Sequence, residues 1–72
     1  MSAALKFTTS TQRGMAFVYA HAMADWESCC DDPGRFTDGQ KRDIDRALKF
    51  AEALAWHVNA RQINVALKTV TQ

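Results

Sequence analysis

Asp25-Trp26-Glu27-Ser28-Cys29-Cys30-Asp31-Asp32-Pro33-Gly34 is an acidic, cysteine-bearing break between two amphipathic stretches. Proline lacks the amide hydrogen a helix interior needs, and Pro-Gly is a strong turn signal. Asp31 and Asp32 would sit at a helix C-terminus, where the macrodipole disfavours negative charge. A helix entering this segment is therefore expected to fray or stop by Cys30. The helix–break–helix layout predicts an all-α fold. It is an antiparallel helical hairpin with a helix over about 10–30, a turn over 31–37 and a helix over about 38–69, in one domain spanning 1–72.

Upstream of the break, Thr8-Thr9-Ser10-Thr11 is rich in N-cap residues, and Thr9 with Gln12 fits a capping box. That places the first helix start near Ser10 or Thr11. Met15, Val18, Tyr19, Ala22, Trp26 and Cys29 recur at spacings of three and four, a coiled-coil-like seam. Phe17 falls on the opposite side. Gly14 costs roughly 1 kcal/mol relative to Ala in a helix, so close packing against another backbone would account for it. Leu5 and Phe7 alternate with polar neighbours, a pattern too short to define a strand.

Downstream, Thr37 and Gln40 form a second capping box, with Phe36 placed to staple the next turn. Ile44, Leu48, Ala51, Ala55 and Val58 then form one stripe, with Ala47 and Leu54 at its margin. Beyond Val58 the apolar positions Trp56, Ile63, Leu67 and Val70 shift roughly 100° round the helix. Asn59 could terminate a helix there in the left-handed conformation. Ile63, Val65 and Leu67 also alternate as in a strand, but the good helix formers Ala60, Arg61, Gln62 and Lys68 favour continued helix.

At 72 residues the chain is one domain with a marginal core, since chains this short bury only about 60% of their unfolded surface. Cys29 and Cys30 are the only cysteines. Adjacent cysteines staple no loop, so reduced thiols and a cytoplasmic setting are expected. No signal-peptide pattern opens the chain, and no apolar run approaches the roughly 20 residues that span a bilayer. Nine Lys+Arg against eight Asp+Glu give a net charge of +1, which implies no strongly charged partner and little repulsion between copies.

Chemical signatures are weak. His21, Asp25 and Cys29 recur at i, i+4, i+8, yet structural zinc needs two paired ligand clusters and His57 stands alone. The acidic run lacks the order and closing Glu of a calcium loop. Gly34-Arg35-Phe36-Thr37-Asp38-Gly39-Gln40-Lys41 echoes a phosphate loop but has Gln40 where the lysine belongs and follows a helix. Cys30 with His21 or His57 is the sole nucleophile–base candidate, on a fold that offers little concavity. No enzyme, metal or cofactor is expected.

The aromatic residues carry the functional expectation. A two-helix hairpin buries one stripe per helix and leaves Phe17, Phe50, Trp56 and Ile63 over. A 30-residue second helix, about 45 Å long, would also overhang the first. Dimerisation into a four-helix bundle would cover the surplus, with Trp26, Leu48, Leu54, Ile63 and Leu67 at the dimer interface. The alternative is that residues 1–9 fold back over the overhang. The expected function is non-enzymatic binding of a protein partner, as an adaptor or inhibitor of the kind encoded by phages and mobile elements. Phe17, Phe50 and Trp56 would make the contact, with Arg46, His57 and Arg61 at the rim. The runner-up is a dimeric RNA- or DNA-binding hairpin using Arg42, Arg46, Lys49 and Arg61.

Overall fold

The computed structural model describes residues 7–71, and all three of its α-helices fall there: α1 (Thr9–Asp31), α2 (Asp38–Ala55) and α3 (Ala60–Thr71). No strand occurs among the described residues. The Leu5-Lys6 part of the alternation, and most of the segment considered for a fold-back, lie outside them.

Helix α1 begins one or two residues earlier than the capping box at Thr9 implied. Thr8 is its N-cap, in extended conformation, and its hydroxyl accepts from the Thr11 amide at 3.1 Å. At the other end α1 continues through Asp31, one residue past Cys30, and closes when the Asp32 amide donates to the Ser28 carbonyl at 3.0 Å. A single 3-10 turn, Pro33–Arg35, then redirects the chain. The capping box at the start of α2 forms as its sequence implies. Thr37 Oγ1 accepts from the Gln40 amide at 3.1 Å, and Gln40 Oε1 accepts from the Thr37 amide at 2.8 Å.

The long second helix does not form. Residues expected as one helix over about 38–69 make two, separated at 56–59. The last turn of α2 tightens through i→i−3 bonds, His57 amide to Leu54 carbonyl at 3.0 Å and Val58 amide to Ala55 carbonyl at 3.3 Å. Asn59 then begins a new helix instead of ending one left-handed; no described non-glycine residue has positive φ. Its Oδ1 accepts from the Gln62 amide at 2.9 Å, and its own amide donates to Gln62 Oε1 at 3.1 Å. That reciprocal pair is a third capping box, and it starts α3.

With the break in place, α3 lies along α1. Ala66 is buried with Ala16 and Ala20, and Leu67 and Val70 pack on them. Gln62 bonds Gln12, so residue numbers on α3 rise with those on α1 and the two run parallel. A second cluster joins Ala22 of α1 to Leu48 and Ala51 of α2, flanked by Tyr19 and Met23. Trp26 neighbours Lys41 and Arg42 while Tyr19 neighbours Ala55 and Trp56, so numbers on α2 fall as those on α1 rise. Helix α1 is thus shared by both neighbours, and residues 60–71 do not overhang it.

Among the described residues the buried set is Ala16, Ala20, Ala22, Leu48, Ala51 and Ala66, with no large side chain fully enclosed. Each buried alanine contributes only about one methyl, roughly 0.8 kcal/mol, whereas a leucine contributes about 1.5–3. Leu48→Ala should therefore cost about 2–3 kcal/mol in urea unfolding, a large share of a small domain's stability. Asn59→Ala should cost about 1 kcal/mol and Asn59→Gly only a few tenths, because glycine is itself tolerated at an N-cap. Gly14 meets nothing: a Cβ built there has no heavy atom within 4 Å, contrary to the close approach its position suggested. Gly14→Ala should stabilise the chain by about 0.5–1 kcal/mol, seen as a higher melting temperature.

Candidate functional site

Small residues inside leave large ones outside. Trp56 is 88% exposed, Phe50 65% and Val65 60%. Phe50 lies on the side of α2 away from Leu48 and Ala51, at about 100° per residue, with Arg46 and Ala47 on the same exposed flank. Trp56 follows the last residue of α2 and shares a shallow hollow of about 410 Å3 with Tyr19, Glu52 and Ala55. These two aromatics are on display for ordinary geometric reasons. Leu48 and Ala51 already occupy the face of α2 turned to α1, and the chain turns immediately after Trp56.

Phe17 lies elsewhere. Together with Val65 and Ala66 it lines a groove of about 270 Å3 between α1 and α3, which Arg13 and Arg61 also line. Phe17 and Arg61, expected as partner-binding residues, are thus brought together, and Arg13 and Val65 join them. Neither of the latter stood out in the sequence, because each becomes notable only when α3 folds back. Phe17 also lies obliquely against His21, ring centroids 6.4 Å apart.

His57 serves the chain's own fold. Its ring meets the Phe7 ring edge-on at 5.0 Å, and its carbonyl accepts from Gln12 Nε2 at 3.1 Å. Of the expected dimer-interface residues, Leu48 is buried within the single chain, and Leu67 is half-buried against Ala16, Ala20 and Ala66. Leu54 and Ile63 are half-buried, and Trp26 is 37% exposed. Trp26 sits over a basic surface. With Lys41, Arg42, Asp45, Arg46 and Lys49 it lines a shallow concavity of about 530 Å3, in which Asp45 is engaged by Lys49 at 3.0 Å.

The Cys30–histidine pairing is not assembled. Cys30 and His21 lie about 13 Å apart along α1 at 1.5 Å per residue, and His57 packs near Gln12 at the far end of that helix. No three His, Cys, Asp or Glu side chains among the described residues gather as metal ligands. No described helix is long and apolar enough to cross a membrane. No protein-family model, curated protein or solved structure matches the chain.

Because Phe50 and Trp56 make so few intrachain contacts, truncating either to alanine should change unfolding free energy by less than about 0.5 kcal/mol. The contrast with Leu48→Ala in the same urea titration checks that the outer aromatics are dispensable for folding.

Proposed function

We propose that this chain is a non-enzymatic binding module whose exposed aromatic side chains engage a larger protein. The observation that carries this reading is the inversion of size between inside and outside: alanines fill the core while Phe50 and Trp56 stand in solvent. Large apolar side chains held rigidly on a helix surface are costly to leave wet and are the commonest anchors of protein interfaces. Arg46 stands near Phe50 on α2, and Arg61 near Phe17 at the groove, as rim groups that would add specificity and not bulk affinity. His57 flanks Trp56. In this reading the module is an adaptor or inhibitor of the phage or mobile-element type, working in the cytoplasm as a homodimer. Its α1–α2 pair would be the antiparallel hairpin of each protomer.

A second reading has its own observation. Trp26 among Lys41, Arg42, Arg46 and Lys49 combines a stacking surface with four cations, the makings of a single-stranded nucleic-acid site. Asp45 and its bond to Lys49 weaken that field.

Salt and mutation separate the two. A protein captured by the immobilised chain should stay bound between about 50 and 200 mM salt and be lost with Phe50→Ala or Trp56→Ala, each by more than about 1 kcal/mol. A nucleic-acid site would instead show in fluorescence anisotropy of labelled single-stranded RNA. Its affinity would fall steeply over the same salt range and disappear with Arg46→Glu. Capture unaffected by either aromatic substitution would refute the proposed mode of binding.

A further inference from the structure

Helix α1 has a third face. Gln12, Ala16 and Ala20 are turned to α3, and Tyr19, Ala22 and Met23 to α2. At about 100° per residue the remaining sector includes Arg13, Phe17, His21, Ala24, Ser28 and Asp31, with Gly14, Val18 and Asp25 along its far edge. All are exposed except Ala24, which is half-buried. None of the other described helices lies across this face, and its Arg13–Phe17 end opens onto the groove shared with Arg61 and Val65.

The charges along the face are ordered. No acidic residue precedes Asp25, and none occurs in 57–72. Asp25, Glu27, Asp31 and Asp32 in turn occupy a stretch without lysine or arginine. None of the four forms an ion pair among the described residues. No carboxylate lines the groove that holds Arg13 and Arg61. The helix macrodipole has the same polarity, positive at the arginine end and negative at the acidic end. Like sign is therefore concentrated at each end of α1, and neither Arg13 and Arg61 nor the four acids have an ion-pair partner among the described residues, although Lys41, Arg42 and Arg46 of α2 lie beside Trp26 near the acidic end.

We infer that the occupant of this face is the same face of a second copy, packed antiparallel about a two-fold axis. The acidic end of each α1 then enters the Arg13–Arg61 groove of the other. This surface rests on the homodimer proposed above, specifies where it forms, and assigns Phe17 and Arg61 to the dimer, leaving Phe50, Trp56 and Arg46 to the larger partner. Arg13 and Asp31 are separated by about five whole turns, roughly 27 Å, so they lie on the same edge of the helix. A two-fold axis perpendicular to the paired helices keeps that edge on the same side in both copies. Arg13 of each copy consequently meets Asp31 of the other, and one contact generates its symmetric twin. In that register Phe17 falls within about one residue of Ser28 in height, and His21 within about one residue of Ala24, large near small. A parallel pair would instead set Arg13 on Arg13 and Asp31 on Asp31. The dipoles also favour the antiparallel arrangement.

The test is a charge exchange on the full chain, read by sedimentation equilibrium over a concentration series. Arg13→Asp puts an acid near the N-terminus of α1 and Asp31→Arg a base at its C-terminus. Both suit the macrodipole, so each variant should retain its helicity by circular dichroism. The unaltered chain should dimerise, less tightly as salt rises. Each single variant should raise the dimer dissociation constant by about tenfold or more, because two attractive pairs become repulsive. An equimolar mixture of the two variants should associate one to one, within about threefold of the unaltered affinity. The chain carrying both exchanges should recover likewise. A chain that stays monomeric to about 1 mM overturns the homodimer and this face together. A dimer indifferent to both single exchanges, or variants that fail to recover on mixing, overturns the face alone.

Discussion

The fold depends on where two glutamine amides go. Gln62 closes the capping box with Asn59 through its Oε1 and donates from Nε2 to Gln12 Oε1 at 3.2 Å. Gln12 donates in turn to the His57 carbonyl at 3.1 Å. One chain of hydrogen bonds thus ties the start of α1 to the end of α2 and the start of α3. The His57 carbonyl lies just past the last residue of α2, where helical carbonyls lose their intrahelical donors, so the Gln12 amide meets a standing need. Gln62 and Gln12 share a partly buried contact, which makes a lost partner more costly there than at an open surface. Without this junction nothing local would stop residues 38–71 from propagating as one rod, given their helix-forming composition.

Folding α3 back sets the character of the core. A single helix flanked by two neighbours on adjoining faces has to present small side chains on both. Helix α1 does so with Ala16 and Ala20 toward α3 and Ala22 toward α2. Alanine lets helices approach closely and favours helix formation, but it buries little apolar area. The larger residues of α1, Phe17, Val18 and Trp26, therefore remain partly in solvent. Interior smallness and exterior aromatic surface are two consequences of the same geometry.

Much of this was legible in the sequence, and the failures share one cause. The all-helical character, the turn at Pro33-Gly34 and the Thr37–Gln40 box all follow from local rules and all form. Asn59-Ala60-Arg61-Gln62 has the same box spacing as Thr37 to Gln40. Yet Asn59 reads equally as a helix end, because it directly follows Val58, the last residue of the first stripe. The change of stripe beyond Val58 was the visible sign of a second helix with its own phase. Thr9 and Gln12 show the converse error. Their spacing satisfies the local rule, but Gln12 is engaged by His57 and Gln62, 45 and 50 residues away, so the cap passes to Thr8. A capping pattern gives the local alternative; the tertiary neighbour decides whether the side chain is free to take it. The groove escaped notice for the same reason, since Arg13 and Val65 are unremarkable until α3 lies beside α1.

The break also reorganises the meaning of the charges. In a two-helix rod, Arg61 and Lys68 would extend beyond α1 as a remote basic tail. With α3 parallel to α1, Arg61 instead joins Arg13 around one groove, while Asp31 and Asp32 lie at the opposite end of α1. A near-neutral total therefore conceals a separation of charge along α1, which a count of nine basic against eight acidic residues cannot reveal. Such separation acts on association more than on folding, because exposed charges at this distance are screened within the chain but meet at contact range between molecules. The acidic break that marks the turn is thus also one pole of the molecule. Its position relative to Arg13 follows from helix length alone: about five turns of α1 set the two poles on a common edge.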